Sequence, residues 1–271
     1  MILADKALAA LGRWSGIGGS GPAPARSLAG LQGILFDLDG TLLQVDMNRF
    51  IPTYVEGLAE VCADLAEPRR FTDVVLQATR ALLRSEQGEC SNQQLFHSAL
   101  ERNLAISPDL FNQRLQCYCR EYLPSLASLI TPHPLVPRIL RGCFDRGLRV
   151  VIATNPVFPR LLVEARLAWG AMGEFPFDLV TSYENSRFCK PHSGYFEDIL
   201  QTLGLAPQHC LMVGNDTLHD LAAAKAGIAT YLLDTWMVDR GGSLQPDYRG
   251  GHDQLCRLLE TLPLLAPAEL T

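Results

Sequence analysis

The apolar positions of this chain change their period at a few well-marked places, and those changes divide it. Gly33-Ile34-Leu35-Phe36 is a continuous apolar run of strand length and predicts a buried strand. It stops at Asp37-Leu38-Asp39-Gly40-Thr41, where polar residues and a glycine suit a tight strand-end loop. From about residue 48 to 129 the period becomes helical. Tyr54, Leu58, Val61 and Leu65 recur at helical spacing, as do Val74, Ala78, Ala81 and Leu82, then Leu95, Ala99 and Leu100, then Leu110, Leu115 and Tyr122. Breakers at Pro68, at 88–91 and at Ser107-Pro108 separate four helices, so an all-helical insert of roughly 80 residues is expected. Thr131-Pro132-His133-Pro134 closes it, because two prolines so close together cannot continue a helix.

Beyond the insert, two kinds of pattern alternate. Helices are predicted over 135–146, 159–169, 193–203, 218–226 and 253–262, and strands over 149–153, 177–181, 210–213 and 229–233. Such alternation predicts an α/β fold, a parallel sheet with helices on both faces. The stretch 13–29 is rich in Gly, Ser, Pro and Ala without a sustained period, so residues 1–30 read as a mobile N-terminal extension. The expected organisation is therefore an extension over 1–30, an α/β core from 31–45 and 131–271, and a helical unit over 46–130.

Composition narrows the class further. Of 271 residues 48% are hydrophobic and 19% charged, which excludes a disordered chain and leaves ample material for a core. A net charge of −6 speaks against a nucleic-acid polymer as partner, since such binders need a basic surface to displace counterions. No apolar run reaches the roughly 18 residues of a membrane span, and Asp5 and Lys6 interrupt the only apolar patch of the opening residues. Eight cysteines without a CxxC pair read as reduced thiols, so a cytoplasmic location away from membranes is expected. Among the basic residues only Lys6, Lys190 and Lys225 are lysines.

In an open α/β sheet ligands sit at the carboxyl ends of the strands, so polar residues just after each strand carry the chemistry. Asp37 and Asp39 follow the first strand, and their i, i+2 spacing lets both carboxylates share one cavity. Two close carboxylates suit a cation or a split into nucleophile and acid/base, although turn aspartates capping a loop have the same spacing. Thr154 and Asn155 follow the 149–153 strand and fit either phosphate oxygens or an ordinary helix cap. Lys190, in Cys189-Lys190-Pro191, puts one of three lysines at a loop-to-helix junction, where a compact cation suits a phosphate. Asp216 and Asp220 follow the 210–213 strand at i, i+4, and hard oxygen ligands of this kind suit Mg2+ better than zinc. Arg49, at the start of the insert, fits a substrate contact less well than a solvated helix-start arginine. His219 reads as exposed, and the segment 235–248, with Trp236, Asp239 and Arg240, carries no chemical assignment.

Phe36-Asp37-Leu38-Asp39-Gly40-Thr41, Thr154-Asn155, Lys190-Pro191 and Gly214-Asn215-Asp216-x-x-x-Asp220, in this order, resemble the four motifs of the haloacid dehalogenase superfamily. The resemblance implies a Rossmann-like core, and the insert is similar in position and type to that superfamily's mobile helical cap. It also implies Mg2+ dependence and a phosphatase acting on a small phosphorylated metabolite through an aspartyl-phosphate. Asp37 would be the nucleophile and Asp39 the acid/base. Thr154, Asn155 and Lys190 would bind the phosphate. Asp37, the Asp39 backbone carbonyl and Asp216 would hold the metal, with Asp220 steering a ligand water or binding directly. The superfamily's dehalogenases lack an acid at the Asp39 position, because a halide leaves without a proton. A phosphomutase and a catalytically silent binding protein are the other readings of the same core.

Overall fold

A computed structural model describes residues 25–265. Its centre is a six-stranded sheet of β1 (Gly33–Phe36), β4 (Arg149–Ile152), β5 (Leu179–Val180), β6 (Cys210–Gly214), β7 (Ala229–Leu233) and β8 (Tyr248–Gly250). The strand order is β5-β4-β1-β6-β7-β8, and every pairing is parallel. Parallel strands need crossovers; α5 (Val136–Asp145), α6 (Arg160–Trp169) and α7 (Ser193–Leu203) lie on those leading to β4, β5 and β6, and α8 (His252–Glu260) follows the last strand. The continuous apolar runs of the strands are explained by burial on both faces. Alternation sends Ile34, Phe36, Ile152 and Val213 to one side and Leu35, Val151 and Met212 to the other.

Register decides where the chemistry falls. Phe36 is level with Ile152 of β4 and with Val213 of β6. β1 and β4 therefore end level, with β6 one residue longer, and the residues that follow them, beginning with Asp37, emerge at one edge. The Asp37 amide still donates to the Val213 carbonyl at 2.9 Å, so the nucleophile candidate is held by the ladder itself.

The helical insert comprises α1 (Met47–Val61), α2 (Pro68–Arg84), α3 (Asn92–Leu104) and α4 (Pro108–Glu121). The expected breakers act as helix starts. Pro68 and Pro108 occupy first turns, where a missing N–H leaves nothing unpaired. Glu67 accepts from the amides of Arg69 and Arg70, Ser107 accepts from the Leu110 amide, and Ser91 and Gln94 form a reciprocal capping box. The four helices bury Phe50, Leu58, Phe71, Leu82, Phe96 and Phe111 between them.

Four details differ from the sequence expectations. Leu43–Val45 (β2) and Ile130–Pro132 (β3) pair antiparallel at the two ends of the insert, so the proline-rich exit is an edge strand as well as a break. The segment expected as a helix over 218–226 is a turn followed by a 3-10 helix, Leu221–Ala226, because Asp220 is drawn inward by the polar contacts described below. Tyr248–Gly250 forms an edge strand that had no predicted pattern. The N-terminal extension lies outside the described residues up to 24. At 25–30, however, Leu28 is buried, Arg26 pairs with Asp247 at 2.8 Å, and the Tyr248 hydroxyl donates to the Arg26 carbonyl.

Behind the first loop, His252 at the start of α8 donates from Nε2 to the Thr41 carbonyl (2.8 Å) and accepts from the Thr235 hydroxyl at Nδ1 (2.9 Å). Its ring stacks on His133 at 3.6 Å between centroids. Burial pushes the His252 imidazole down to about 4. An unfolded chain takes that proton near 6.5, so the fold should lose stability as pH falls from about 6.5 towards 4. Thermal melts at pH 7 and 5 should show the drop, and His252→Gln should reduce it; an unchanged drop in the variant would assign it to other groups.

Candidate active site

Asp37 is buried where β1 ends, and its two oxygens have different partners. Oδ1 accepts from the Lys190 ammonium at 2.7 Å, and Oδ2 accepts from the Thr41 hydroxyl at 3.1 Å. The same ammonium donates to Asp220 Oδ1 at 2.7 Å. One cation thus bridges carboxylates that the chain separates widely, and the two acid pairs share one centre. Asp220 Oδ2 accepts from the Asp216 amide at 2.9 Å, so both oxygens of Asp220 are occupied by donors. Gly214 is required here, since a Cβ on it would overlap the Asp220 carboxyl group. Gly40 is required too: its φ is +87°, and a Cβ would strike the Asn215 amide.

The remaining candidates line the same cavity, which measures about 390 Å³ and contains Asp37, Asp39, Thr154, Asn155, Lys190, Asp216 and Asp220 in its wall. Thr154 is buried, and its carbonyl accepts from the hydroxyls of Thr181 and Tyr195, both at 2.8 Å. Asn155 turns its carbonyl oxygen to the Lys190 amide at 3.1 Å, which ties the lysine loop to the end of β4. Asp216 Oδ1 accepts from the amides of Leu218 and His219, and Oδ2 from Arg240 Nε at 2.5 Å. Arg49 is exposed and does not line the cavity, whereas His219 does.

Two arginines enter the site that the motif reading did not assign. Arg166 of α6 is fully buried and pairs with Asp39 Oδ2, while its guanidinium lies 4.8 Å from the Phe158 ring centre and 5.8 Å from that of Phe50. Asp39 Oδ1 and Arg166 Nη2 are buried without a partner. The available signal was an arginine on the apolar face of a helix, one turn after Leu162 and Val163. Arg240 belongs to the unassigned 235–248 segment. There Val238 donates its amide to the Asn215 carbonyl at 2.9 Å, and Asn215 Nδ2 donates to the Trp236 carbonyl at 2.7 Å.

The electrostatics follow from this packing. Burial pushes the carboxyls of Asp37 and Asp220 up, Asp220 to about 6, against the pull of Lys190. Burial alone would lower the Lys190 ammonium, but the flanking Asp220 and Asp37 override it and hold it above its ordinary value. Burial also opposes ionisation of Asp216, yet the His219 amide, Arg240 and the Leu218 amide keep its carboxyl below the usual range.

Among the described residues no cluster of three or more His, Cys, Asp or Glu side chains forms a metal cage. Mg2+ does not need one. It is held by one or two carboxylates together with waters and substrate oxygens. The donors available, Asp37, Asp216 and the Asp39 carbonyl, are all hard oxygens with no thiol or imidazole among them, and this chemistry fits Mg2+. Asp220 holds the Lys190 ammonium through Oδ1 and the Asp216 amide through Oδ2.

The sequence profile of the haloacid dehalogenase-like hydrolases matches residues 31–227. A pyrophosphatase, PpaX, from Bacillus pumilus is 25% identical over 198 residues, 71% of this chain and 78% of its own length. A phosphoglycolate phosphatase from Aquifex aeolicus is 24% identical over 219 residues, 79% of this chain and 90% of that protein. The crystal structure of a HAD phosphatase from Thermococcus onnurineus superimposes with a TM-score of 0.54 at 17% identity, covering 87% of this chain and all of that one. At that identity the likeness speaks to the fold, a Rossmann-like α/β sheet. The profile spans the segment in which all four strand-end motifs converge on one cavity, and the chain belongs to the haloacid dehalogenase-like hydrolases.

Proposed function

We propose that this hydrolase is a Mg2+-dependent phosphatase that cleaves a small organic phosphate monoester through an aspartyl-phosphate on Asp37, with the 46–130 helical unit acting as its cap. The observation that carries the reading is the Lys190 ammonium, 2.7 Å from both Asp37 and Asp220 at the base of the cavity that Asp39 also lines. The phosphatase relatives support the same class of reaction.

In the first step an Asp37 oxygen attacks phosphorus and the ester P–O bond breaks. The departing alkoxide takes a proton from Asp39, whose unpartnered Oδ1 is the oxygen free to deliver it. In the second step Asp39 removes a proton from water, the resulting hydroxide attacks phosphorus, and inorganic phosphate leaves Asp37 as a carboxylate. Arg166 positions Asp39 by holding Oδ2. Lys190 and Thr154 meet the oxygens where charge gathers. When bound on Asp37, Asp216 and the Asp39 carbonyl, Mg2+ would offset the repulsion between the nucleophile and the phosphate.

The test is phosphate release from p-nitrophenyl phosphate and a panel of phosphate monoesters by the purified chain. Activity should vanish in EDTA and return with excess Mg2+. Release that survives complete chelation would remove the metal from this scheme, and no release from any ester would remove the phosphatase reading.

A further inference from the structure

The cavity extends well past the acid cluster, and its far wall has a different chemistry. Ile51 and Val55 of α1, Val75, Leu76 and Leu83 of α2, and Phe111 of α4 face it from the insert. No charged residue of the insert lines it. The basic side chains in its wall, Lys190, His219 and Arg240, all come from the α/β core, and all three already face the acid cluster, His219 Nδ1 lying 3.4 Å from Asp216. The Thr79 hydroxyl is spent on the Val75 carbonyl at 2.9 Å. Three of the seven large apolar side chains exposed among the described residues, Ile51, Leu83 and Val238, also border this cavity. Scattered exposed leucines need no explanation, but their gathering at one opening that continues into an apolar wall does.

A leaving group with a second anion, such as a carboxylate or another phosphate, would be stripped of water here against hydrocarbon with no unengaged cation facing it. A hydrocarbon leaving group would bury apolar surface on both sides. Resting on the phosphatase reading, we infer that the substrate is the phosphate monoester of an uncharged, chiefly hydrocarbon alcohol, whose body lies between α1, α2 and α4. Hydroxyls of Tyr54 and Tyr183 in the wall can give that body hydrogen-bonding points. The reaction stays in balance: ester and water give the free alcohol and inorganic phosphate.

Non-hydrolysable phosphonates separate this inference from the reading beneath it. Titration calorimetry in Mg2+ would compare ethyl-, butyl- and hexylphosphonate with 3-phosphonopropionate and methylenediphosphonate. Affinity should rise about fourfold for each added methylene, and hexylphosphonate should bind at least tenfold tighter than either doubly anionic probe. Leu83→Arg, at a residue 39% exposed and so tolerant of charge, should flatten the alkyl series and tighten 3-phosphonopropionate. A flat alkyl series in the native chain, or tighter binding of either dianionic probe, overturns the inference even if phosphate is released from other esters. A steep series without hydrolysis of hexyl phosphate or p-nitrophenyl phosphate leaves the apolar site standing and overturns the phosphatase reading instead.

Discussion

Asp37→Asn should reduce phosphate release by roughly 10⁴-fold or more, the scale on which removal of a nucleophile acts. The amide has the shape of the carboxylate but is a far poorer nucleophile, so no phosphoryl group should be transferred. The fold should survive. Lys190 keeps Asp220 as its counter-charge, and burial already raises the Asp37 carboxyl, so the neutral amide removes a group whose charge is unfavourable there. Thermal melts should therefore show a Tm equal to or above that of the native chain, alongside the lost activity. Asp39→Asn makes the contrast. Asp37 remains able to accept phosphate from an ester with a good leaving group, and acid-quenched samples should contain phosphorylated protein that turns over slowly. Rapid multiple turnover in the Asp37 variant would exclude an aspartyl-phosphate at this position.

Lys190→Met is expected to damage both stability and activity. The ammonium is 2% exposed and lies 2.7 Å from each of two buried carboxylates. Removing it leaves two like charges buried side by side, and breaking a buried pair in this way costs about 3–5 kcal/mol. The loss should depend on pH in a definite direction. Burial already raises Asp220 to about 6 with the lysine present, and without it both carboxyls rise further. A raised carboxyl binds its proton more tightly in the folded state than in the unfolded chain, so stability falls as pH rises through that range. Urea melts should find the variant much weaker than the native chain at pH 8 and closer to it at pH 5. Adding Asp220→Asn should recover part of the pH 8 loss. Equal destabilisation at both pH values would mean that the carboxylates do not depend on this lysine.

The parts of the fold legible in the sequence were those set by local pattern. Gly33–Phe36 is apolar without alternation because it is buried on both faces, and helix starts such as Pro68, Ser91 and Ser107 announce themselves through capping chemistry. The parts that escaped depend on distant partners. Ile130–Pro132 becomes a strand only because Leu43–Val45 lies beside it, and Tyr248–Gly250 because β7 offers it an edge. Helical spacing lets Asp220 approach the ion held by Asp216, directly or through a water. Its contacts with Lys190 and the Asp216 amide are contained in no spacing rule.

By itself the sequence determined which chemical groups stand at the strand ends, and in what order, since both follow from local periodicity and residue type. Tertiary structure decided what each group faces. Parallel register set the central strand ends level to within one residue, which brought Asp37, Asp216 and Lys190 to one place. Packing of α6 brought Arg166 to Asp39, the bridge of Val238 to Asp216 brought Arg240 to the same carboxylate, and the insert closed over them with hydrocarbon. The charge state and partner of a side chain depend on neighbours within a few ångströms in space, and only folding brings such neighbours together from distant parts of the chain.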